Sequence, residues 1–337
     1  MADEWSCSEF KEGFVTTKTG RIYLTAVGPP RRSGDVAVVC EAGAGEPGSS
    51  WCAVARLLSS DVRVYYYHRA GLGRSDASPA ARTAANMAAE LRGLLTAAHV
   101  PPPYVLLAHS YGGLLVREFV AAAPPRDVVG LVLVDTNQES TLATQQFPSA
   151  AMQALLSGFD YSDAIGLWTE HEFTAEELER VRHDDLIRSP AAPGEMAEFK
   201  SSGAALRGKN QLDQQVLDPF PVTVIRGNCL RDFERAQVVA RSRGNGTPEQ
   251  WEQWEAFILR FEKNDLALQR EQLRLSGTGN GRFVQTNRSG HRPQHTEPRL
   301  VADEVLEVVR QARTAIVGVT GESGSPESLP RAAPRNT

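Results

Sequence analysis

Short apolar runs alternate with longer amphipathic segments along the first 137 residues. The runs are bounded by glycine, proline and aspartate, as buried strands are, and the segments between them repeat apolar residues at helical intervals. We therefore predict a mostly parallel sheet covered by helices on both faces, preceded by an antiparallel hairpin turned at Thr19-Gly20. The predicted strands cover residues 14–17, 21–26, 36–40, 62–67, 105–108 and 128–134, and the predicted helices 51–58, 83–99 and 114–123.

The strand pattern stops after residue 137 and returns at residue 221. Amphipathic helical segments fill the interval, at 150–156, 164–170, 175–187 and 195–206. An insertion of this kind after a sheet strand is typical of a helical lid. We divide the chain into a first core part (14–137), a helical lid (138–218), a second core part (219–312) and a disordered tail (318–337). In the second core part the pattern predicts strands at 221–226 and 282–286 and helices at 248–275 and 298–312.

Composition excludes several classes of function. Lys and Arg number 36 and Asp and Glu 41 among 337 residues, a net charge of −5, and no basic block could neutralise a nucleic-acid backbone. The first residues lack a basic start and an apolar core, and no run approaches the roughly 18 apolar residues of a membrane span. We expect a soluble cytoplasmic protein, with no nucleic acid or membrane span, whose oligomeric state the sequence leaves open.

The four cysteines suggest neither a disulfide framework nor a metal site. Cys7, Cys40, Cys52 and Cys229 are far apart and form no C-x-x-C pair. Cys40 ends one predicted strand and Cys229 follows another, so either could border a cleft at the sheet edge. We expect no metal and no cofactor.

One apolar strand breaks abruptly at a serine, in the run His109-Ser110-Tyr111-Gly112-Gly113. A sharp strand-to-helix turn of this kind lifts a nucleophilic hydroxyl clear of the sheet and leaves backbone N–H groups facing an anion. Small neighbours are needed for such a turn, and Ala108 and the two glycines supply them. Ser110 is therefore the candidate nucleophile.

A serine nucleophile needs an imidazole base and a carboxylate that orients it. His291 follows a short strand and Ser289-Gly290, which brings it to the sheet edge where Ser110 emerges; His295 is the second choice. Asp135 ends the strand after the nucleophile helix and is the preferred acid, with Asp232 as the alternative. Glu139 is a remaining candidate for the acid. We expect His109 to pack and hydrogen-bond beneath the turn, and His68 could shape the pocket floor.

An oxyanion formed during acyl transfer needs two backbone donors. We predict the amide of Tyr111 as one, and the amide of Ala44, with Gly43 as the alternative, as the other. The loop that carries Ala44 is rich in glycine, but it lacks the Lys-Ser/Thr of a nucleotide-binding loop and the G-x-G-x-x-G spacing.

These landmarks, in their order along the chain, resemble the α/β-hydrolase superfamily, in its serine-hydrolase branch with a helical lid. The matching segments are Val38-Val39-Cys40-Glu41-Ala42-Gly43-Ala44-Gly45, Tyr67-His68-Arg69-Ala70-Gly71-Leu72-Gly73-Arg74-Ser75-Asp76, His109-Ser110-Tyr111-Gly112-Gly113, Val129-Gly130-Leu131-Val132-Leu133-Val134-Asp135 and Ser289-Gly290-His291. The resemblance implies the α/β-hydrolase fold with a mostly parallel eight-stranded sheet and hydrolysis through an acyl-enzyme.

Three departures from the family pattern bear on the site. Ala42-Gly43 stands where His-Gly is usual, and His68 replaces a frequent aspartate. Gly227 is followed by Asn228-Cys229 instead of the common aspartate, which favours an acid on the preceding strand. A serine nucleophile also argues against the epoxide-hydrolase and dehalogenase branches, which use a carboxylate.

The sequence thus predicts a cofactor-free serine hydrolase that cleaves an ester, lactone or thioester of a largely apolar small molecule. Acyl transfer or cyclisation at the same site is one alternative, and a ligand-binding receptor with slow or absent turnover is another. Apolar lid residues suggest a carbon-rich acyl or alcohol group, although they could equally be the packed underside of the lid. These residues are Phe147, Leu155, Phe159, Tyr161, Leu167, Trp168 and Phe173.

Overall fold

Eight strands form a single sheet in this computed structural model, which describes residues 4–186 and 191–321. The strand order is β1-β2-β4-β3-β5-β6-β7-β8. The pairs β1–β2 and β2–β4 are antiparallel, and all the others are parallel. The strands are β1 Phe10–Thr17, β2 Gly20–Val27, β3 Ala37–Glu41, β4 Arg63–Tyr67, β5 Tyr104–His109, β6 Val128–Val134, β7 Val222–Arg226 and β8 Gly281–Gln285. The predicted mostly parallel sheet is confirmed.

Helices cover the sheet and fill the connections between its strands. The α-helices are α1 Glu4–Cys7, α2 Cys52–Leu58, α3 Ala84–Ala97, α4 Gly112–Ala122, α5 Thr141–Gln145, α6 Ser149–Leu155, α7 Tyr161–Ala164, α8 Leu167–Glu170, α9 Ala175–Leu186, α10 Ala191–Ala197, α11 Phe199–Arg207, α12 Gln211–Gln214, α13 Cys229–Ser242, α14 Pro248–Glu271, α15 Pro293–Thr296 and α16 Pro298–Gly321. Two 3₁₀ turns, Gly48–Trp51 and Gln272–Leu275, complete the described elements. Among the described helices, none is long and apolar enough to cross a membrane.

The register of the central strands brings their carboxyl ends to one edge. Strands β3 to β7 are buried along their whole length, as expected for parallel strands covered on both faces. Glu41 pairs with Ala108, and His109 pairs with Val134, so β3, β5 and β6 end level with one another. The segments that follow these strands are therefore neighbours, and ligands of open α/β sheets bind at this edge.

Helices α5 to α12 lie between β6 and β7, where the lid was predicted. We call residues 138–218 the lid segment; its boundaries, like the rest of the domain division, stay predictions. Two differences from the predicted pattern stand out. Helix α13, absent from the prediction, begins directly after β7, and α16 runs on to Gly321, past the predicted end of the closing helix. The remainder of the predicted tail, 322–337, lies outside the described residues.

Candidate active site

Ser110 sits at a sharp turn between β5 and α4. Its backbone has a φ of 51°, in the left-handed region that L-residues rarely adopt. A Cβ at Gly112 would come within 2.8 Å of the Glu41 and Ala42 carbonyl oxygens, and one at Gly113 within 2.6 Å of Thr136. The two glycines therefore allow α4 to start against the neighbouring loops. This is the strained strand-to-helix turn that the sequence predicts.

His291 meets the serine from a loop far along the chain. Its Nε2 lies 3.0 Å from Ser110 Oγ. The backbone on both sides of the ring is held, because the His291 N–H donates to Asp232 Oδ2 at 2.8 Å and its carbonyl accepts from His109 Nε2 at 2.8 Å. The ring thus faces the serine from a backbone fixed by two side chains.

Asp135 contacts the other nitrogen of that ring. Its Oδ2 lies 2.6 Å from His291 Nδ1 and accepts from the Cys229 thiol at 3.0 Å, while Oδ1 accepts from the Gly227 N–H at 3.0 Å. A carboxylate at Nδ1 fixes the proton there, which leaves Nε2 of the neutral imidazole as the acceptor that faces Ser110. The structure therefore brings Ser110, His291 and Asp135 into one hydrogen-bonded chain.

Asp232, the alternative acid, contacts the backbone of His291 and not its imidazole nitrogens. It is buried in the first turn of α13, where it accepts from the His291 N–H and pairs with Arg231. A Cβ at Gly290 would lie about 2 Å from its carboxylate oxygens, so only glycine fits at that position. Asp232 shapes the backbone of the histidine loop.

The charges of the hydrogen-bonded pair shift both pKa values in opposite directions. Burial by itself raises the pKa of Asp135, but the hydrogen bond and charge of His291 outweigh burial and lower it below its usual value. Burial alone lowers the pKa of His291, yet the same contact with Asp135 outweighs it and raises that pKa above 6.5. The pair therefore favours a negative Asp135 and strengthens the imidazole as a base.

Glu46 joins three parts of the site, although no sequence motif marks it. Its carboxylate accepts from the Gly43 N–H at 3.0 Å and from Arg292 Nε at 2.9 Å, and it lies 2.8 Å from His109 Nδ1. Burial raises its pKa, but His109 and Arg292 outweigh burial and hold that pKa well below 4.5. Glu46 thereby ties the loop after β3 to the residue before the serine and the residue after His291. His109 is the packing and hydrogen-bonding residue that was expected.

Among the described residues, one backbone N–H of the loop after β3 has no acceptor. The Gly43 N–H is taken by Glu46 and the Gly45 N–H donates to Glu195 at 2.7 Å. Between them the Ala44 N–H has no acceptor in the described part of the chain, and the same holds for the N–H of Tyr111. This geometry favours Ala44 over Gly43 as the second oxyanion donor.

The other residues weighed from the sequence lie outside the hydrogen-bonded chain. His295 is buried against Phe173, and burial lowers its pKa to about 3. His68 is also buried, with a pKa lowered to about 4; its Nε2 lies 3.6 Å from Asp184, and Gly73 leaves room for its ring. Glu139 pairs with Arg117.

Most of the apolar lid residues pack into the protein. Of the seven named from the sequence, six belong to the buried clusters or pack against them, in contact with α13, α14 or the sheet. Phe159 is half-buried and lies outside these clusters. The packed-underside interpretation therefore accounts for Phe147, Leu155, Tyr161, Leu167, Trp168 and Phe173.

Cys229 adds a thiol to the acid and the imidazole. Its Sγ lies 3.7 Å from His291 Nδ1 and donates to Asp135 Oδ2 at 3.0 Å, and these sulfur, nitrogen and oxygen atoms all lie within 4.8 Å of one another. Burial raises the pKa of the thiol well above its usual value, so the group is a hydrogen-bond donor near neutral pH. Hydrogen bonding to Asp135 accounts for this cluster.

Comparison with known proteins agrees with the fold and shows the family. The family model of the alpha/beta hydrolase family matches residues 38–304, well over half of the chain. The chain belongs to the alpha/beta hydrolase family. An "AB hydrolase superfamily protein" of Gibberella zeae is 35% identical over 332 residues, which cover 93% of this chain and 100% of the relative.

Solved hydrolase structures share the fold at low sequence identity. A thermophilic esterase from Thermogutta terrifontis is 21% identical with a TM-score of 0.55, and the match covers 90% of this chain and 99% of the esterase. A "putative epoxide hydrolase" from Pseudomonas aeruginosa is 15% identical with a TM-score of 0.59, covering 92% of this chain and 98% of that protein. At these identities the likeness concerns the fold. The chemistry of this hydrolase-family member must be argued from its own residues.

Two further residues around the site belong to no sequence motif. Asn137 Oδ1 lies 3.4 Å from Ser110 Oγ, and its N–H donates to the Ser110 carbonyl at 2.9 Å. Asn137 follows Asp135 by two positions, so the level ends of β5 and β6 were a usable signal. Glu195, from α10, reaches the loop after β3 across about 150 residues, and no spacing rule predicts such a contact.

Proposed function

We propose that this alpha/beta hydrolase is a serine hydrolase that cleaves a carboxylic ester, lactone or thioester through an acyl-enzyme. The observation that carries the proposal is the chain from Ser110 Oγ to His291 Nε2, 3.0 Å, and from His291 Nδ1 to Asp135 Oδ2, 2.6 Å. A nucleophile, a base and an orienting carboxylate within hydrogen-bond reach are the recurring requirement of acyl transfer by serine.

The first half of the reaction forms the acyl-enzyme. His291 Nε2 takes the hydroxyl proton as Ser110 Oγ attacks the substrate carbonyl carbon, and the carbonyl oxygen becomes an oxyanion. The N–H groups of Tyr111 and Ala44 are the proposed donors to that oxyanion. Collapse of the tetrahedral intermediate expels the alkoxide or thiolate, which receives the proton from His291.

The second half returns the enzyme to its starting state. Water enters beside the same imidazole, gives its proton to Nε2 and attacks the acyl carbon. The second tetrahedral intermediate expels Ser110 Oγ, which takes the proton back, and the carboxylic acid leaves. Asp135 stays negative throughout and stabilises the imidazolium formed in each half.

The identity of the nucleophile separates this proposal from an epoxide hydrolase. Opening an epoxide through a covalent intermediate requires a carboxylate nucleophile, which forms an alkyl ester that water then cleaves. Here the residue at the turn is Ser110, and the nearby carboxylate of Asp135 faces the imidazole instead. The fold shared with the Pseudomonas aeruginosa protein does not carry its chemistry over.

Only one of the seven apolar lid residues remains to support a preference for a largely apolar substrate. Six of the seven apolar lid residues pack within the protein, and Phe159 remains as the half-buried aromatic side chain of that set. A series of p-nitrophenyl esters from acetate to decanoate measures this preference directly. A rise of kcat/KM with acyl length supports the apolar site, and a fall contradicts it.

A fluorophosphonate probe tests the reaction itself. The probe reacts covalently with an activated serine, so we expect labelling of the wild type and none of Ser110→Ala, with His291→Ala labelled at most slowly. Product analysis with an added alcohol or amine acceptor separates hydrolysis from acyl transfer: free acid should exceed transferred product. A folded wild type that stays unlabelled would reject the enzyme and favour the ligand-binding alternative.

A further inference from the structure

The loop after β3, residues 42–47, is held from one side by a buried arginine. We call it the oxyanion loop. Arg69 is 2% exposed, and its guanidinium donates to the Ala42 carbonyl at 2.8 Å and to the Gly43 carbonyl at 2.5 Å. One planar group thus fixes two successive peptide carbonyls, which a lysine ammonium could not match in geometry.

Fixing those carbonyls also fixes the N–H groups of the same peptide units. In a trans peptide the C=O and the N–H point in opposite directions, and the bonds of this loop are trans. Since the Gly43 carbonyl points at Arg69, the Ala44 N–H points away from it. The Ala42 carbonyl obeys the same rule, and the Gly43 N–H accordingly points to Glu46. The Gly43 carbonyl also accepts from the Glu46 N–H at 3.1 Å. Arg69 and this turn together therefore set the direction of the one loop N–H that has no acceptor among the described residues.

The lid segment reaches the same arginine through Glu195. This glutamate of α10 has no exposed surface, and its carboxylate accepts from Arg69 Nε at 2.8 Å and from Nη2 at 2.7 Å. Its Oε2 also accepts from the Gly45 N–H at 2.7 Å. One lid carboxylate therefore binds both the arginine and the loop that the arginine holds.

Close packing shows that α10 rests on the oxyanion loop. Gly45 has a φ of 67°, and a Cβ there would lie 2.9 Å from the Ala192 side chain of α10. Glu41 pairs with Arg69 from within the sheet, at 2.7 Å, so the arginine keeps one carboxylate whatever the position of the lid. Glu195 is the contact that depends on α10 being docked.

We propose that Arg69 and Glu195 are positioning residues that hold the Gly43–Ala44 peptide in the orientation that completes the oxyanion hole, so that docking of α10 organises the site. The inference rests on the proposed function, in which the Ala44 N–H binds the oxyanion. Neither side chain touches the reacting atoms. Their effect should therefore appear in the stabilisation of the tetrahedral state and not in binding of the ground state.

Glu195→Gln tests this with little change of shape. An NH₂ group at the Oε1 position would face Arg69 Nε, and one at the Oε2 position would face both Arg69 Nη2 and the Gly45 N–H, so at least one of the three contacts must break. We expect kcat/KM for an activated ester, and the affinity for a trifluoromethyl ketone that forms a tetrahedral adduct with the serine, to fall by the same factor, about tenfold to a hundredfold. KM should stay within about threefold, because the ground state does not use the oxyanion donors.

Two further variants keep the test decisive. Glu195→Asp keeps the charge but is one methylene too short to reach Arg69 and Gly45 together, so it should lose less than Glu195→Gln; it carries the test if the amide variant does not fold. Glu198→Gln is the matched control, because this half-buried lid acid bonds Ser201 and not the loop. It should behave as wild type in kcat/KM and ketone affinity.

The outcomes distinguish a failure of the positioning role from a failure of the proposed function. A wild type that reacts with the fluorophosphonate, together with Glu195 variants of unchanged ketone affinity, overturns the positioning role alone. Variants that lose activity through KM, with ketone affinity retained, overturn it as well. A wild type that neither reacts with the fluorophosphonate nor binds the ketone overturns the proposed function and this inference together.

Discussion

Replacing Asp135 with asparagine changes the proton on His291 without straining the backbone. Asp135 has a φ of 45°, a left-handed conformation that asparagine tolerates better than most residues. In the variant the amide oxygen can keep the Gly227 N–H, which leaves the NH₂ group facing His291 Nδ1. Nδ1 must then accept and Nε2 carry the proton, so the nitrogen that faces Ser110 can no longer take the hydroxyl proton.

The expected loss follows from that tautomer. The same substitution in the Ser-His-Asp site of serine proteases costs about 10⁴ in kcat, close to 5 kcal/mol of transition-state free energy, and we expect about 10³ to 10⁴ here. The hydrogen bond to the charged carboxylate is worth about 1.5 to 3 kcal/mol for the imidazolium. Since the His291 side chain is 37% exposed, the lower end of this range applies.

The pH dependence has a definite sign. His291 acts as a base only when neutral, so kcat/KM rises with pH through its pKa, which Asp135 raises above 6.5. Without the negative charge, burial remains and lowers that pKa. The residual activity of Asp135→Asn should therefore begin to rise at lower pH than the wild-type activity.

Asp232→Asn is the matched control for this experiment. It is an equally buried carboxylate within reach of His291, but it accepts from the backbone N–H and not from the ring. We expect its kcat/KM, measured with a p-nitrophenyl ester from pH 5 to 9, to fall less than about tenfold, with the acidic limb unmoved. If Asp232→Asn shows the larger loss and the shifted limb, the assignment of Asp135 as the orienting acid is wrong.

Three shorter predictions follow from the contacts around the site. Cys229→Ala removes one thiol hydrogen bond to Asp135, so kcat should fall less than about tenfold; a loss as large as that of Asp135→Asn would contradict the supporting role of the thiol. Glu46 has a lowered pKa in the folded state, so its stabilising contribution is present above about pH 4.5 and is lost as the pH falls. In urea titrations at several pH values, the free energy of unfolding should therefore fall less steeply toward acid pH for Glu46→Gln than for the wild type. Equal slopes of the two proteins would refute this. Gly290→Ala would push a methyl group to about 2 Å from the Asp232 oxygens, so thermal unfolding should show a lower Tm together with a lower kcat, and an unchanged Tm would show that the loop yields freely.

The central strands could be predicted because their burial requires a recognisable apolar sequence pattern. A parallel strand covered on both faces is a continuous apolar run, and β6, Val128–Val134, has the predicted bounds. Helix α13 escaped prediction, because only Gly227 and Asn228 separate it from β7 and its charged residues mask the apolar stripe. A strong apolar pattern thus predicts a strand or helix, whereas an element that follows another after a short connection is difficult to recognise.

The groups that hold the site are set by contacts between distant segments. Ser110, Asp135 and His291 each end or follow a strand, and the level ends of parallel strands make such residues neighbours. Glu46 and Glu195 belong to no strand end. Their positions depend on how loops and helices fold back over the sheet, for which local patterns give no rule. Site residues at strand ends can therefore be predicted from the sequence, whereas those positioned by contacts between distant side chains cannot.

The two candidate acids show what position in the sequence leaves open and what the backbone conformation decides. Asp135 and Asp232 both follow strands that end at the same edge, so position alone could not separate them. The backbone decides, because a left-handed turn at Asp135 directs its side chain toward the imidazole, whereas Asp232 lies within the first turn of α13 and faces the His291 N–H. Gly227 and Cys229, which flank the position where the family usually has its aspartate, here donate to Asp135 instead. The segment after β7 thus supports an acid supplied by the neighbouring strand, so an aspartate introduced at Cys229 would add a second negative charge beside Asp135, and one of the two carboxyls would have to take up a proton.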